Sequence, residues 1–159
     1  MTQWIRMTSP VGELTLTAEG DRLTGVILRG QRGEERLLPR EGREEETPVL
    51  ARARRWLERY FAGERPHPRE LPLAPRGTAF QRRVWRELET LSPGETVTYG
   101  ELARRVGSSP RAVGRAVGAN PLSIIVPCHR VVGAGGRLTG YAGGLERKQF
   151  LLELEGAQP

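Results

Sequence analysis

The side chains best suited to chemistry crowd into one run, Asn-Pro-Leu-Ser-Ile-Ile-Val-Pro-Cys-His-Arg-Val-Val, from Asn120 to Val132. Cys128 is the chain's single cysteine, and His129 and Arg130 follow it directly. The apolar residues Leu122 to Val126 read as a short buried strand or core segment ending at Pro127. An apolar setting raises a thiol's pKa and makes it inert, whereas a neighbouring imidazole and guanidinium favour the thiolate. Cys128 is therefore either a quiet core residue or an activated nucleophile. Sequence adjacency to His129 does not decide between them, because most Cys-His catalytic pairs meet through the fold.

Composition narrows the setting. A chain of 159 residues holds one medium domain or two small ones. It has no apolar run long enough for a transmembrane span, and its start lacks the layout of a signal peptide. One cysteine excludes an internal disulfide and suits a reducing cytoplasm. One cysteine and two histidines argue against a structural zinc site, so no metal is expected. The net charge of +6 is unevenly placed. Residues 1–75 hold 13 Arg against 12 acids, a balance of +1, and residues 76–159 hold 12 Arg or Lys against 7 acids, a balance of +5. That asymmetry favours a polyanionic partner, although an arginine-rich composition with Lys148 as the one lysine explains it equally well.

The elements that must position these residues fall into two groups. Residues 3–8, 13–18 and 22–29 read as three antiparallel strands with turns at Ser9–Gly12 and Glu19–Asp21. Residues 30–46 are charged and read as a solvated loop with a helical turn. Thr47-Pro48 opens a helix to about Phe61, with Leu50, Leu57 and Phe61 on its apolar stripe. Four prolines between 62 and 77 mark a semi-rigid linker and a domain boundary, with an α+β domain over residues 1–72 and a second domain over 76–159. His67 sits in that linker as a solvated residue. Thr78-x-x-Gln81 and Thr98-x-x-Glu101 are capping boxes opening helices, the first reaching about Leu91. Gly107 closes the second, and Ser109-Pro110 starts another. The pair has the layout of a helix-turn-helix. Its second member, Pro110 to about Ala119, carries Arg111 and Arg115 on one face and spends helix propensity on Gly114 and Gly118. Close approach of another helix or of a nucleic-acid backbone accounts for those glycines equally well. A last helix runs from Leu145 to about Glu155, burying Leu151, Leu152 and Phe150.

Pro127-Cys128-His129-Arg130-Val131 resembles the active-site motif of the O6-alkylguanine-DNA alkyltransferases, and the likeness extends from about Gly77 to Glu155. Arg111-Ala112-Val113-Gly114 with Asn120-Pro121 resembles that family's recognition helix and hinge. Gly140-Tyr141-Ala142-Gly143-Gly144 resembles the wall of its guanine pocket. The resemblance implies an α+β protein: a small ribonuclease-H-like antiparallel-sheet domain followed by a mostly helical winged helix-turn-helix domain. It implies direct-reversal repair, in which an alkyl group passes once from O6-alkylguanine to Cys128, with O4-alkylthymine as a second candidate substrate. His129 would take the thiol proton through one water, Glu155 would orient the imidazole, Tyr99 would donate to the leaving base, and Asn120 would fix the hinge. Arg111, Ala112, Arg115 and Tyr99 would meet the minor groove of duplex DNA, with Arg111 filling the space of the flipped base. Leu138, Val131, Tyr141 and Ala142 would line the pocket. No cofactor is implied. The chain would act as a cytoplasmic, nucleoid-associated monomer, with cooperative assembly on DNA left open. Two other readings compete: a non-enzymatic lesion binder or winged-helix regulator with a sensor cysteine, and a Cys-His hydrolase.

Overall fold

The computed structural model describes residues 1–157, and these divide into two compact units. The first comprises Met1–Arg76 together with Pro121–Ile125, and the second comprises Gly77–Asn120 together with Val126 onward.

In the first unit, β1 (Thr2–Met7), β2 (Leu14–Glu19) and β3 (Arg22–Leu28) form an antiparallel meander. Alternation works as expected on β2, where Leu14, Leu16 and Ala18 are fully buried. Two short elements occupy the charged stretch: a single turn α1 (Glu34–Leu37) and β4 (Arg43–Glu44). β4 pairs parallel with β1 at Gln3 and Trp4, giving the sheet order β3-β2-β1-β4. A two-residue exposed strand carries no apolar alternation, so the sequence offered no sign of it.

Helix α2 (Pro48–Phe61) packs on this sheet. Thr47 stands at its N-cap position but makes no capping bond; its hydroxyl is buried without a hydrogen-bond partner among the described residues. Leu50 and Leu57 are buried, whereas Phe61 is only half-buried. Trp56 and Tyr60 take the place expected of Phe61; their rings stack 5.9 Å apart, and Trp56 Nε1 donates to His67 O at 2.8 Å. The proline-rich stretch holds a short 3-10 turn, Pro68–Glu70. His67 is exposed and caps it, its Nδ1 accepting from Arg69 N at 3.0 Å. Pro121–Ile125 joins this unit through a bridge between Leu122 and Val26. The segment is buried but is not a strand, because Ile124 turns it with a φ of 73°. A β-branched residue in that region is a true outlier and breaks extended pairing.

The second unit begins with α3 (Ala79–Leu88), which is shorter than the expected run to Leu91. Its capping box is complete: Gln81 N donates to Thr78 Oγ1 at 3.0 Å, and Thr78 N donates to Gln81 Oε1 at 2.9 Å. β5 (Val97–Thr98) leads into α4 (Tyr99–Val106), capped likewise by Thr98 and Glu101. Gly107, at φ 69°, ends α4 in the left-handed conformation that glycine adopts without strain. Ser109 Oγ then accepts from Ala112 N at 3.1 Å to start α5 (Pro110–Gly118). Helices α3, α4 and α5 pack together, and Trp85 Nε1 donates to Ala116 O at 2.7 Å across that core. β6 (Val131–Val132) pairs parallel with β5, and α6 (Leu145–Leu154) completes the unit. Leu151 and Leu152 are buried on α6, but Phe150 is 39% exposed, contrary to the expectation that it is core. Among the described residues no helix is long and apolar enough to cross a membrane.

Candidate active site

Cys128 opens a single 3-10 turn, Cys128–Arg130, between the Ile124 kink and β6. All three of its residues are buried. The turn sends the neighbouring side chains in different directions, and their uses differ from those that adjacency suggests.

Burial pushes the Cys128 thiol up from its ordinary pKa. The Asn120 side chain, the charge of Lys148 and the nearby Tyr141 hydroxyl act against that rise. Asn120 also donates from Nδ2 to Val126 O at 2.9 Å, so one amide closes the turn and addresses the sulfur. The favourable cation at the thiol is thus Lys148, not the flanking Arg130. Lys148 is fully buried on α6, donates from Nζ to Thr139 O at 3.0 Å, and is brought by burial to a pKa of about 8.

Arg130 serves a different partner. Its Nε donates to Glu155 Oε1 at 2.8 Å, its Nη2 to Glu155 Oε2 at 3.0 Å, and its Nη1 to Leu91 O at 2.6 Å. His129 Nε2 lies 2.6 Å from Glu155 Oε2. Glu155 is 5% exposed, a buried carboxylate at the end of the last helix. Burial would raise its pKa, but hydrogen bonds from His129 and Arg130 outweigh that and hold the carboxyl far below the usual range. Burial lowers the His129 pKa and outweighs the pull of Glu155 toward the charged form. An ionised carboxylate only accepts, so His129 Nε2 carries the proton and Nδ1 keeps its lone pair. That Nδ1 is buried and has no hydrogen-bond partner among the described residues.

The remaining candidates sit around this centre or on the surface. Tyr99 opens α4 half-buried, and its hydroxyl donates to Gly140 O at 3.4 Å. Arg111 and Arg115 are exposed on α5, and Ala112 is half-buried. A Cβ placed on Gly114 would lie 3.8 Å from the Tyr99 ring, an ordinary contact, so packing on Tyr99 does not demand glycine there. Val131 is buried in β6. Leu138 is half-buried against Val132, Leu152 and Ala157, and Tyr141 and Ala142 are half-buried in the loop before α6. Among the described residues no three His, Cys, Asp or Glu side chains gather in a group able to hold a metal ion. Two participants escaped the reading of the residues, Lys148 as a partner of the thiol and Arg130 as a partner of Glu155. A lone lysine in a long apolar-polar mixture carries no signal of burial in sequence.

The chain is similar to known proteins along almost its whole length. Residues 79–157 match the family description "6-O-methylguanine DNA methyltransferase, DNA binding domain", and residues 4–75 match "6-O-methylguanine DNA methyltransferase, ribonuclease-like domain". A Haemophilus influenzae protein named methylated-DNA--protein-cysteine methyltransferase is 45% identical over 149 residues, which is 92% of this chain and 82% of that protein. A Mycobacterium leprae protein of the same name is 49% identical over 152 residues, covering 94% of this chain and 89% of its own length. Among solved structures, Mycobacterium tuberculosis OGT in complex with DNA superposes with a TM-score of 0.86 at 44% identity, covering 96% of this chain and 92% of its own. With both units matched and near-half identity along almost the whole length, the chain belongs to the 6-O-methylguanine DNA methyltransferase family.

Proposed function

We propose that this protein repairs alkylated DNA by direct reversal, moving one methyl or other alkyl group from O6-alkylguanine in duplex DNA onto its own Cys128. The observation that carries the reading is a preset proton acceptor in the same buried turn as the lone thiol: His129 Nε2 is held by Glu155, and Nδ1 is buried and unpartnered among the described residues. Through one bridging water that Nδ1 accepts the Cys128 proton. Glu155, held in place by Arg130, stabilises the resulting imidazolium, following the nucleophile–base–orienter logic of covalent catalysis. The thiolate then attacks the saturated carbon. A C–S bond forms as the C–O bond breaks, and the electron pair leaves on the guanine oxygen. Tyr99 donates a hydrogen bond to the departing base.

Reaching that carbon requires the base to leave the stack, at a cost of a few kcal/mol that is least for a damaged, weakly paired base. Arg111 occupies the vacated space, and Ala112 with the small residues of α5 lets the helix lie in the minor groove. Arg115 adds a phosphate contact. Leu138, Val131, Tyr141 and Ala142 bound the guanine, with backbone groups near Cys128 and Val131 accepting from its exocyclic amine. The thioether has no leaving group and no second thiol to reset it, so each molecule turns over once. O4-alkylthymine is a second candidate substrate. The protein works without a cofactor as a monomer on cytoplasmic, nucleoid-associated DNA; cooperative assembly along DNA is a further candidate property. The presence of Cys128 with its base disfavours a purely binding role, and a hydrolase lacks a further histidine, since His67 Nδ1 is taken by Arg69 N.

The test is stoichiometric: duplex DNA bearing labelled O6-methylguanine is mixed in excess over the protein and the label is located. One methyl per protein at position 128, absent in Cys128→Ser, supports the reading. Binding without transfer, or repeated turnover of an ester, overturns it.

A further inference from the structure

The first unit contains a cavity of about 380 Å³ that the cysteine chemistry does not use, in the size range of small-molecule sites. Its floor is the sheet. Thr2, Thr17 and Thr24 come from three successive strands, and the Thr17 and Thr24 hydroxyls lie 2.9 Å apart. Gly25 keeps that floor open, since a Cβ there would fall 2.6 Å from Thr17 Oγ1. Its rim carries three arginines, Arg36 and Arg40 from the segment after β3 and Arg76, against one carboxylate, Glu41. Arg76 is already paired with Glu19. Arg36 and Arg40 have no carboxylate partner among the described residues. Charge concentrated here is not a matter of composition, because residues 1–75 as a whole carry 13 Arg against 12 acids.

We propose that this cavity binds a small sugar phosphate. Guanidinium groups match the phosphate through paired, charge-assisted hydrogen bonds. The hydroxyl floor offers both donors and acceptors to a hydroxylated body. No aromatic ring is among the lining residues, so there is no platform on which a nucleobase would stack. The recognised ligand is therefore the phosphorylated sugar alone, not a nucleotide.

Calorimetric titration of the full-length protein with ribose 5-phosphate, beside ribose, inorganic phosphate and an undamaged DNA duplex, tests the assignment. Saturable binding of ribose 5-phosphate at ~1 mM or tighter is expected, with ribose and inorganic phosphate each at least about tenfold weaker. Arg36→Ala and Arg40→Ala should each weaken it by about tenfold, and Thr24→Val by less. Both arginines are exposed, and an unchanged melting curve establishes that the variants fold. The proposal is overturned by no saturation up to ~10 mM, by equal binding of ribose or of inorganic phosphate, or by an affinity unchanged in the double arginine variant. Arginine-dependent binding seen only with the DNA duplex also overturns it, and would assign the rim to a phosphodiester backbone.

Discussion

The two units use the same residue types to opposite ends. In the first, arginines and glutamates meet on the surface: Arg59 with Glu64 and Glu70, Arg54 with Glu46, Arg6 and Arg29 with Glu13. Water and salt screen such pairs, and holding two long side chains together offsets much of the attraction. In the second, Arg130, Glu155 and His129 form a dry network with side chains at most 5% exposed. There each group has given up its hydration and depends on its partners, so removing one strands the others. Charge that decorates one unit is structural and chemical in the other.

The largest expected difference is in activity. Cys128→Ser should abolish methyl transfer outright, while no substitution among the surface pairs of the first unit should change it; protein mass after exposure to methylated duplex reads both. Next comes stability. Glu155→Gln leaves Arg130 buried and unpaired and should cost about 3–5 kcal/mol in urea unfolding. Arg59→Ala in the first unit should leave the midpoint close to unchanged.

The same contrast has a pH signature. The folded pKa values of Glu155 and His129 both lie below their ordinary values of roughly 4.3 and 6.5. The unfolded chain therefore takes up each proton first as the pH falls. The stability involved is complete above the unfolded values and is lost toward the depressed folded ones, beginning below about pH 6.5 with His129 and continuing below about 4.3 with Glu155. Urea midpoints should fall across that window, and Glu155→Gln should remove the lower part of the fall. Flat midpoints between about pH 7 and 4 would break the comparison.

Smaller effects sharpen it. Lys148→Met removes the cation that favours the thiolate, so transfer at neutral pH should slow roughly tenfold, about one unit of thiol pKa. A rate equal to that of the parent would show that Asn120 and Tyr141 suffice. Arg115→Ala, on the exposed face of α5, should weaken DNA binding and reduce the slope of log affinity against log salt by about one.

Much of this was legible before the fold. Thr78-x-x-Gln81 and Thr98-x-x-Glu101 name their own helix starts, because a capping box is a local arrangement of four residues. The three strands of the meander follow from alternation and turns in the same way. Resemblance to a family, not the residues alone, brought Glu155 to His129. What stayed hidden depends on contacts between distant parts of the chain. β4 exists only because β1 offers it an edge. Lys148 is buried because α6 turns it toward Thr139. Arg130 reads as a cation for its neighbour Cys128 until the 3-10 turn carries its guanidinium to Glu155 and Leu91. Ile124 reads as strand because the outlier φ leaves no mark on residue type.

The hydroxyl-started helices have one more implication. α4 is 8 residues long and α5 is 9, well short of the dozen or so at which an isolated helix begins to persist in water. Caps at Thr98 and Ser109 choose where each begins but do not keep either one wound. What keeps α5 wound is the shared interior, in which Trp85 reaches the Ala116 carbonyl. The face bearing Arg111 and Arg115 should therefore form or dissolve in an all-or-none manner with its surroundings. A peptide spanning 109–119, freed from the rest, should bind duplex DNA only as any short cationic coil does.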